Sequence, residues 1–423
     1  ARAAPCVGPG GGGGLRMRPA LRSAVRALCA PSRTVAAATS GVLHICGTAE
    51  SHKLGLGDSQ DREVPVPLPA LEGIKFTHVA CGKYHSAAVS EEGDVYAWGL
   101  ESSGQLGLGS YRTKAHTPAK VDALSGCGVS QLSCGSYHTL ALTAKGEVYS
   151  TGFGGSFFHG AGGLGHGNRQ QLDTPKKIPT FGHGDDRVPA TYVSAGGYHS
   201  LAVDENGGVW SWGRGEWGRL GFGDSSDVLE PLKMDEMCEA MKPTIARAGE
   251  AHSACVGADG VLYTWGRNEY WQLGYEVVGL FNSGQSFDAQ PDPAPVLMPE
   301  GTARVVDVAC GELGTAVLLE DDSVWLWGMR RFFEVTKIPG TGPSSGAEQG
   351  IKVEGKIAQL EVGATHVAIR TACGRVFTYG SGTALGLPKS ERKQWELAEV
   401  STDGRRVLQI ACGSNSTALI LEA

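Results

Sequence analysis

Cysteine and histidine stand four residues apart at Cys81 and His85, within VACGKYHSAAVSEEGDVYAWG (79–99). A thiol beside an imidazole can form a nucleophile with its general base. The same pair can supply half of a zinc site. Both chemistries need several groups to converge at one point, whereas a packing role needs only repetition. The His position returns as His138, His199, His252 and His366, with Gly314 and Ser416 in its place elsewhere. The Cys position returns as Cys134, Cys310 and Cys412, replaced by Ala195, Ala248 and Val362 in the other copies.

The copies are LSCGSYHTLALTAKGEVYSTG (132–152), VSAGGYHSLAVDENGGVWSWG (193–213), ARAGEAHSACVGADGVLYTWG (246–266), VACGELGTAVLLEDDSVWLWG (308–328) and LEVGATHVAIRTACGRVFTYG (360–380). A seventh is split, its first half at 410–423 (IACGSNSTALILEA) and its second at 41–47 (GVLHICG). The leading Gly falls at 82, 135, 196, 249, 311, 363 and 413, a spacing of 50 to 62 residues. A period near 50 signals a repeat architecture.

Each copy reads as β. HSAAV, HTLAL and HSLAV are short runs of small and branched residues. DVYAWG, GVWSWG and VLYTWG alternate with period two. Acidic or glycine turns between the runs mark hairpins. An LG pair follows, usually eight residues after the aromatic-Gly pair. Pro-containing stretches such as HTPAKV and LEPLKM then suit an outer strand, where not every ladder bond is required. Seven four-stranded units make a seven-bladed, all-β propeller. The split copy predicts that the last blade is closed by both chain termini, which leaves no open seam. In a ring on the order of ten ångströms or more across, several strand spacings, the Cys and His cannot share one metal or one scissile bond. The Cys is expected to pack at a crowded inner-strand position, and the His to bond blade backbone and lock neighbouring blades. The i, i+2 aromatics Tyr96/Trp98, Trp210/Trp212, Tyr263/Trp265, Trp325/Trp327 and Phe377/Tyr379 are expected to pack between blades.

The pattern CGxxHS…GxVYxWGxxxxGQLGLG, as it stands at 81–109, resembles the repeat of the regulator of chromosome condensation (RCC1) family over about 41–423. The resemblance implies the seven-bladed RCC1-type propeller. Its founding member is a guanine nucleotide exchange factor for a small GTPase that also binds chromatin, while other members are ligase modules, inhibitors, signalling domains or mitochondrial assembly factors. The loop residues of the exchange face have no residue-by-residue match here.

Composition narrows the function. Eleven Cys with no CxxC pair argue against a disulfide framework or zinc ribbon. No apolar run reaches the length of a membrane span. P-loop and HExxH motifs are absent, and no cofactor is expected. Residues 1–40 carry six Arg (2, 16, 18, 22, 26, 33) and no acid or Lys. Met17, Leu21, Val25 and Leu28 fall at helical spacing beside Arg18, Arg22 and Arg26. That is the pattern of a mitochondrial transit peptide or of a disordered basic leader. Of the 37 Lys and Arg in the chain, 31 remain beyond it against 44 acids, a body near −13 that disfavours direct DNA binding.

Three departures from the repeat are the candidate partner-binding residues. In 150–167 five residues are inserted, carrying Phe157, Phe158 and His159. The stretch 275–295 is about nine residues longer than its equivalents and holds Phe281 and Phe287. In GMRRFFEVTK (328–337) the LG pair is missing and Arg330, Arg331, Phe332 and Phe333 stand together. Arg and aromatics are enriched at interface hot spots. Loops folded onto their own blades and drift of one blade give the same sequences. The leading expectation is a non-enzymatic scaffold, an assembly factor or accessory subunit of a large mitochondrial complex such as the ribosome or respiratory chain, in the matrix or on the matrix face of the inner membrane. The alternative is a nucleotide exchange factor for a small GTPase, in a cytosolic or nuclear location if the leader is not cleaved.

Overall fold

The computed structural model describes residues 40–109, 114–156, 160–183, 187–277, 289–343 and 351–423. Each repeat is an antiparallel meander of four strands. Blade 1 runs outward from the axis as Phe76–Cys81, His85–Ser90, Val95–Leu100 and Lys114–Lys120. Blades 2 to 6 repeat this plan from innermost strands Val129–Cys134, Ala190–Ala195, Pro243–Ala248, Val305–Cys310 and Ile357–Val362. Blade 7 combines Val407–Cys412 and Ser416–Glu422 with Gly41–Gly47 and Arg62–Pro67 from the other end of the chain. Seven residues of Gly41–Gly47 pair in unbroken antiparallel register with Ser416–Glu422. A single bridge, Gly41 with Phe76, links blades 7 and 1. The ring is a seven-bladed propeller with one α-helix among the described residues, Asp235–Met241, between blades 3 and 4.

The leading glycines close the inner rim. A Cβ on Gly82 would lie 2.3 Å from the Gly135 carbonyl oxygen, and each later glycine meets the next in turn until Gly413 meets Gly82. No side chain fits where seven backbones approach this closely. Below the rim, side chains pair with the exposed edges of the innermost strands, which would otherwise be unsatisfied. The Gln409 amide accepts from Val79 N at 2.9 Å and donates to Val79 O at 3.3 Å. Gln131 does the same to Val193, and Gln359 to Ile410.

The histidines lock the seams one level out. His85 Nε2 bonds Thr139 Oγ1 of the next blade at 2.7 Å. His138–Ser200, His199–Ser253, His252–Thr315 and His366–Thr417 repeat the contact at 2.9 Å. Each hydroxyl donates its own proton to a backbone carbonyl: those of Gln105, Gly163, Arg219, Gln272 and Ala384. The imidazole is therefore the donor through Nε2–H. The interaction reaches backbone only through that hydroxyl, one step less directly than a His-to-backbone bond. Trp212, Trp265 and Trp327 donate their indole N–H to the same Gly163, Arg219 and Gln272 carbonyls. Each of these residues precedes an LG pair, so the LG loop of one blade is pinned by the hydroxyl and indole of the next. Gly165, Gly221 and Gly274 have positive φ and lie against those indoles, with no room for a Cβ.

The seam between blades 5 and 6 abandons this scheme as a unit. Gly314 replaces the His, Val367 the hydroxyl and Tyr379 the Trp, and no LG pair precedes them. Met329, Tyr379, Phe332 and Trp395 fill the space with an apolar cluster.

Candidate functional site: one face of the ring

In a four-stranded meander the first and third connections emerge on the same face. The GxxH loops and the loops after the aromatic-Gly pair therefore share one surface, from which the connections carrying the three sequence departures spring. Phe157, Phe158 and His159 lie outside the described residues, as do Phe281 and Phe287. The base of the first insertion is a short hairpin, Gly155–Ser156 with Gly160–Ala161. Asp227 of blade 3 anchors it, accepting from Ala161 N at 2.7 Å, Gly215 N at 3.0 Å and Arg169 at 3.0 Å. Burial works against the Asp227 charge, but these donors hold its carboxyl below the usual range.

At the centre of the face the channel mouth is tied shut. Lys83 Nζ of blade 1 reaches across the ring to Glu312 at 2.9 Å and Glu250 at 3.5 Å. Ser414 and Ser136 donate to the same two carboxylates. Burial opposes the Glu312 charge, yet the Ser414 and Lys83 bonds outweigh it and keep that carboxyl below its ordinary value. The cavity beneath is about 80 Å³, far below the roughly 300–1,000 Å³ of small-molecule sites. On the innermost strands Arg247 lies 3.4 Å from Asp307 and over the Tyr192 ring at 4.3 Å. Burial pushes the nearby Glu361 carboxyl up to about 7.

Burial drives the Cys81 and Cys310 thiols up to about 12, so neither forms a thiolate at neutral pH. Burial holds His85 near 3 and His138 near 4. No group of three or more His, Cys, Asp or Glu suited to a metal occurs among the described residues.

Around the mouth runs a belt of stacked rings and cations. Tyr84, Tyr137 and Tyr198 follow one another at 5.3 and 5.4 Å. Arg267 sits between Trp217 at 5.0 Å and Tyr270 at 5.3 Å. Arg330 covers the other approach to Tyr270 at 4.6 Å, and Arg331 lies over Trp395 at 5.0 Å. Of the third departure, Arg330, Arg331 and Phe333 are exposed. Phe332 is half-buried and packs edge-on against Trp395, so it supports the seam rather than facing solvent. Sequence reading missed Trp217, Tyr270 and Trp271. The available signal was their place just before LG, in EWGRLG and EYWQLG, where other copies have ESSGQLG or ESHKLG.

These features define a closed repeat propeller whose described non-consensus residues include a belt on one face. The chain belongs to the RCC1-like family: the model of the RCC1-like domain matches residues 15–329. It is 33% identical over 379 residues to the ultraviolet-B receptor UVR8 of Arabidopsis thaliana, covering 88% of this chain and 81% of that one. It is 29% identical over 304 residues to the mitochondrial RCC1 domain-containing protein RUG3 of the same plant, covering 71% of this chain and 64% of RUG3. The crystal structure of Prp20p from Saccharomyces cerevisiae superposes with a TM-score of 0.72 at 21% identity, over 90% of this chain and 92% of Prp20p. At that identity the likeness shows the fold. No helix among the described residues is long and apolar enough to cross a membrane.

Proposed function

We propose that the chain is a non-enzymatic interaction scaffold of mitochondria, an assembly factor or accessory subunit of a large complex such as the ribosome or the respiratory chain. The observation that carries this reading is that the described parts of the first and third breaks, the hairpin base Gly155–Ser156 with Gly160–Ala161 and the turn at 328–331, both lie on the GxxH face, on a ring whose consensus positions serve blade-to-blade locking. Insertions on one face of a repeat ring mark its binding side. The Arg-rich leader and the mitochondrial relative RUG3 support the location. The test is native size fractionation of the endogenous protein from purified mitochondria, with mass spectrometry of the fractions. Co-migration with a particle far larger than one chain of 44.2 kDa is expected. A free monomer, or absence from mitochondria, would overturn the reading.

The hairpin at 155–161 favours one second reading, nucleotide exchange on a small GTPase through the inserted Phe157 and Phe158. Prp20p, which shares the fold, was described together with its binding to Gsp1p and histones. Stimulated nucleotide release that disappears in a Phe157→Ala/Phe158→Ala variant would establish it.

A further inference from the structure

The turn at the 5–6 seam carries two features that packing does not require. Arg331 N bonds Gly328 O at 3.1 Å across a tight turn whose central residues, Met329 and Arg330, have φ of 55° and 57°. Two successive left-handed residues make the turn that Asn-Gly fills at least cost. Met329 has a packing reason, because it is buried in the space left by the missing histidine. Arg330 has none. It is exposed, and it holds a strained backbone where glycine would relax it. Strain kept at an exposed residue points to function.

The second feature is charge. Arg214 pairs with Glu216 at 2.8 Å, and Arg267 pairs with Glu269. Among the described residues, Arg330 and Arg331 have no carboxylate partner. Arg330 donates to the Tyr270 hydroxyl at 3.3 Å and stacks on that ring, which leaves the rest of its fork open. Phe333 is 55% exposed and leans edge-on against Trp271 at 6.3 Å. Two stacked guanidiniums beside an exposed aromatic, on a body near −13, present planar donors pre-oriented for carboxylates.

Resting on the scaffold reading, we infer that Arg330, Arg331 and Phe333, held by Tyr270, Trp271 and Trp395, form a docking platform for an acidic peptide segment of the partner protein. The segment supplies at least two carboxylates to the guanidiniums and one apolar side chain to Phe333 and Trp271. The carboxylates complement the two arginines of this belt that, among the described residues, have no carboxylate partner.

The test uses the full chain and a fluorescein-labelled peptide, Asp-Glu-Phe-Glu-Asp, read by fluorescence anisotropy. Its amide twin, Asn-Gln-Phe-Gln-Asn, is the control. Binding of the acidic peptide at least tenfold tighter than the twin is expected, weakening as salt is raised. Arg330→Gly/Arg331→Ala should lose at least tenfold while melting no lower than the parent, since Gly suits the left-handed position. Equal binding of both peptides, or full binding by that variant, overturns the inference. A labelled single-stranded oligoribonucleotide bound more tightly than the acidic peptide, and lost in the same variant, overturns it in favour of nucleic acid. Size fractionation of the parent separates the two readings. If the parent co-migrates with a large particle and the peptides fail to discriminate, the scaffold stands and the platform falls. If the parent is a free monomer, the scaffold reading itself falls.

Discussion

The five seam histidines make the ring sensitive to acid, and the size of the effect can be worked out. Burial lowers His85 and His252 to about 3, His138 and His366 to about 4, and His199 well below its ordinary 6.5. Arg219 depresses His199 and His252 further. In the unfolded chain each imidazole titrates near 6.5. Between that value and the folded one, the unfolded state binds more protons, so stability present above pH 6.5 is lost as pH falls. From pH 7 to pH 5 each histidine forfeits about 2 kcal/mol, and five together about 9 kcal/mol. Glu101 and Glu361 act in the opposite sense. Burial raises both to about 7, so they gain protons in the fold first and return about 2 kcal/mol each. For these seven groups the balance is a loss of about 5 kcal/mol, comparable to the whole stability of many domains, roughly 5–15 kcal/mol. Urea unfolding followed by tryptophan fluorescence at pH 7, 6 and 5 should show the midpoint falling steadily. His252→Gln keeps a donor for Thr315 and removes one titrating group, so its loss between pH 7 and 5 should be smaller by about 2 kcal/mol. A midpoint unchanged or higher at pH 5, or an identical pH slope in the variant, would refute the assignment of neutral, Nε2–H imidazoles to the seams.

Four further outcomes are expected. Gly249→Ala puts a Cβ 2.4 Å from His252 Cε1 and 2.7 Å from the Gly311 carbonyl, and should cost about 3 kcal/mol in chemical denaturation. Lys83→Met leaves Glu250 and Glu312 without their cation; its melting temperature at pH 8 should fall below the parent's, and the difference should shrink as pH falls through the depressed range of the Glu312 carboxyl. Arg330→Gly relieves a left-handed residue and should raise stability by about 1 kcal/mol, read as a higher urea midpoint. Limited alkylation with iodoacetamide, mapped by mass spectrometry, should modify exposed Cys373 before Cys46, Cys134 or Cys255. The Thr371 hydroxyl and the Arg375 backbone lower the Cys373 thiol, whereas burial raises the other three.

The repeat and the closure of the ring by the two chain ends were readable from the chain because they are local. Period-two alternation, turn glycines and the leading Gly of the repeat recur at a spacing of 50 to 62 residues, and each blade solves the same packing problem. The split copy was readable for the same reason, since half a blade has no edge to pair with alone. The complementarity of the seams was also written in the chain, in His–Ser and His–Thr pairs and in their joint loss at Gly314 and Val367. It is visible only when residue n of one blade is compared with residue n+1 of the next, a relation that contacts across 51 to 63 residues define.

What the chain alone left open was surface. Exposure and partnering depend on how neighbouring blades meet, not on residue type. Arg267 and Arg330 read alike as aromatic-flanked arginines, yet one is neutralised by Glu269 and the other is not. Phe332 and Phe333 are adjacent and identical in type. The strand turns one toward Trp395 and the seam and leaves the other against Trp271 at the surface. The sequence determined the ring, because its order follows from short-range periodicity repeated seven times. Only the tertiary structure decided which face gathers the exceptions and which of their charges go unpaired, because both are set by contacts between blades far apart along the chain.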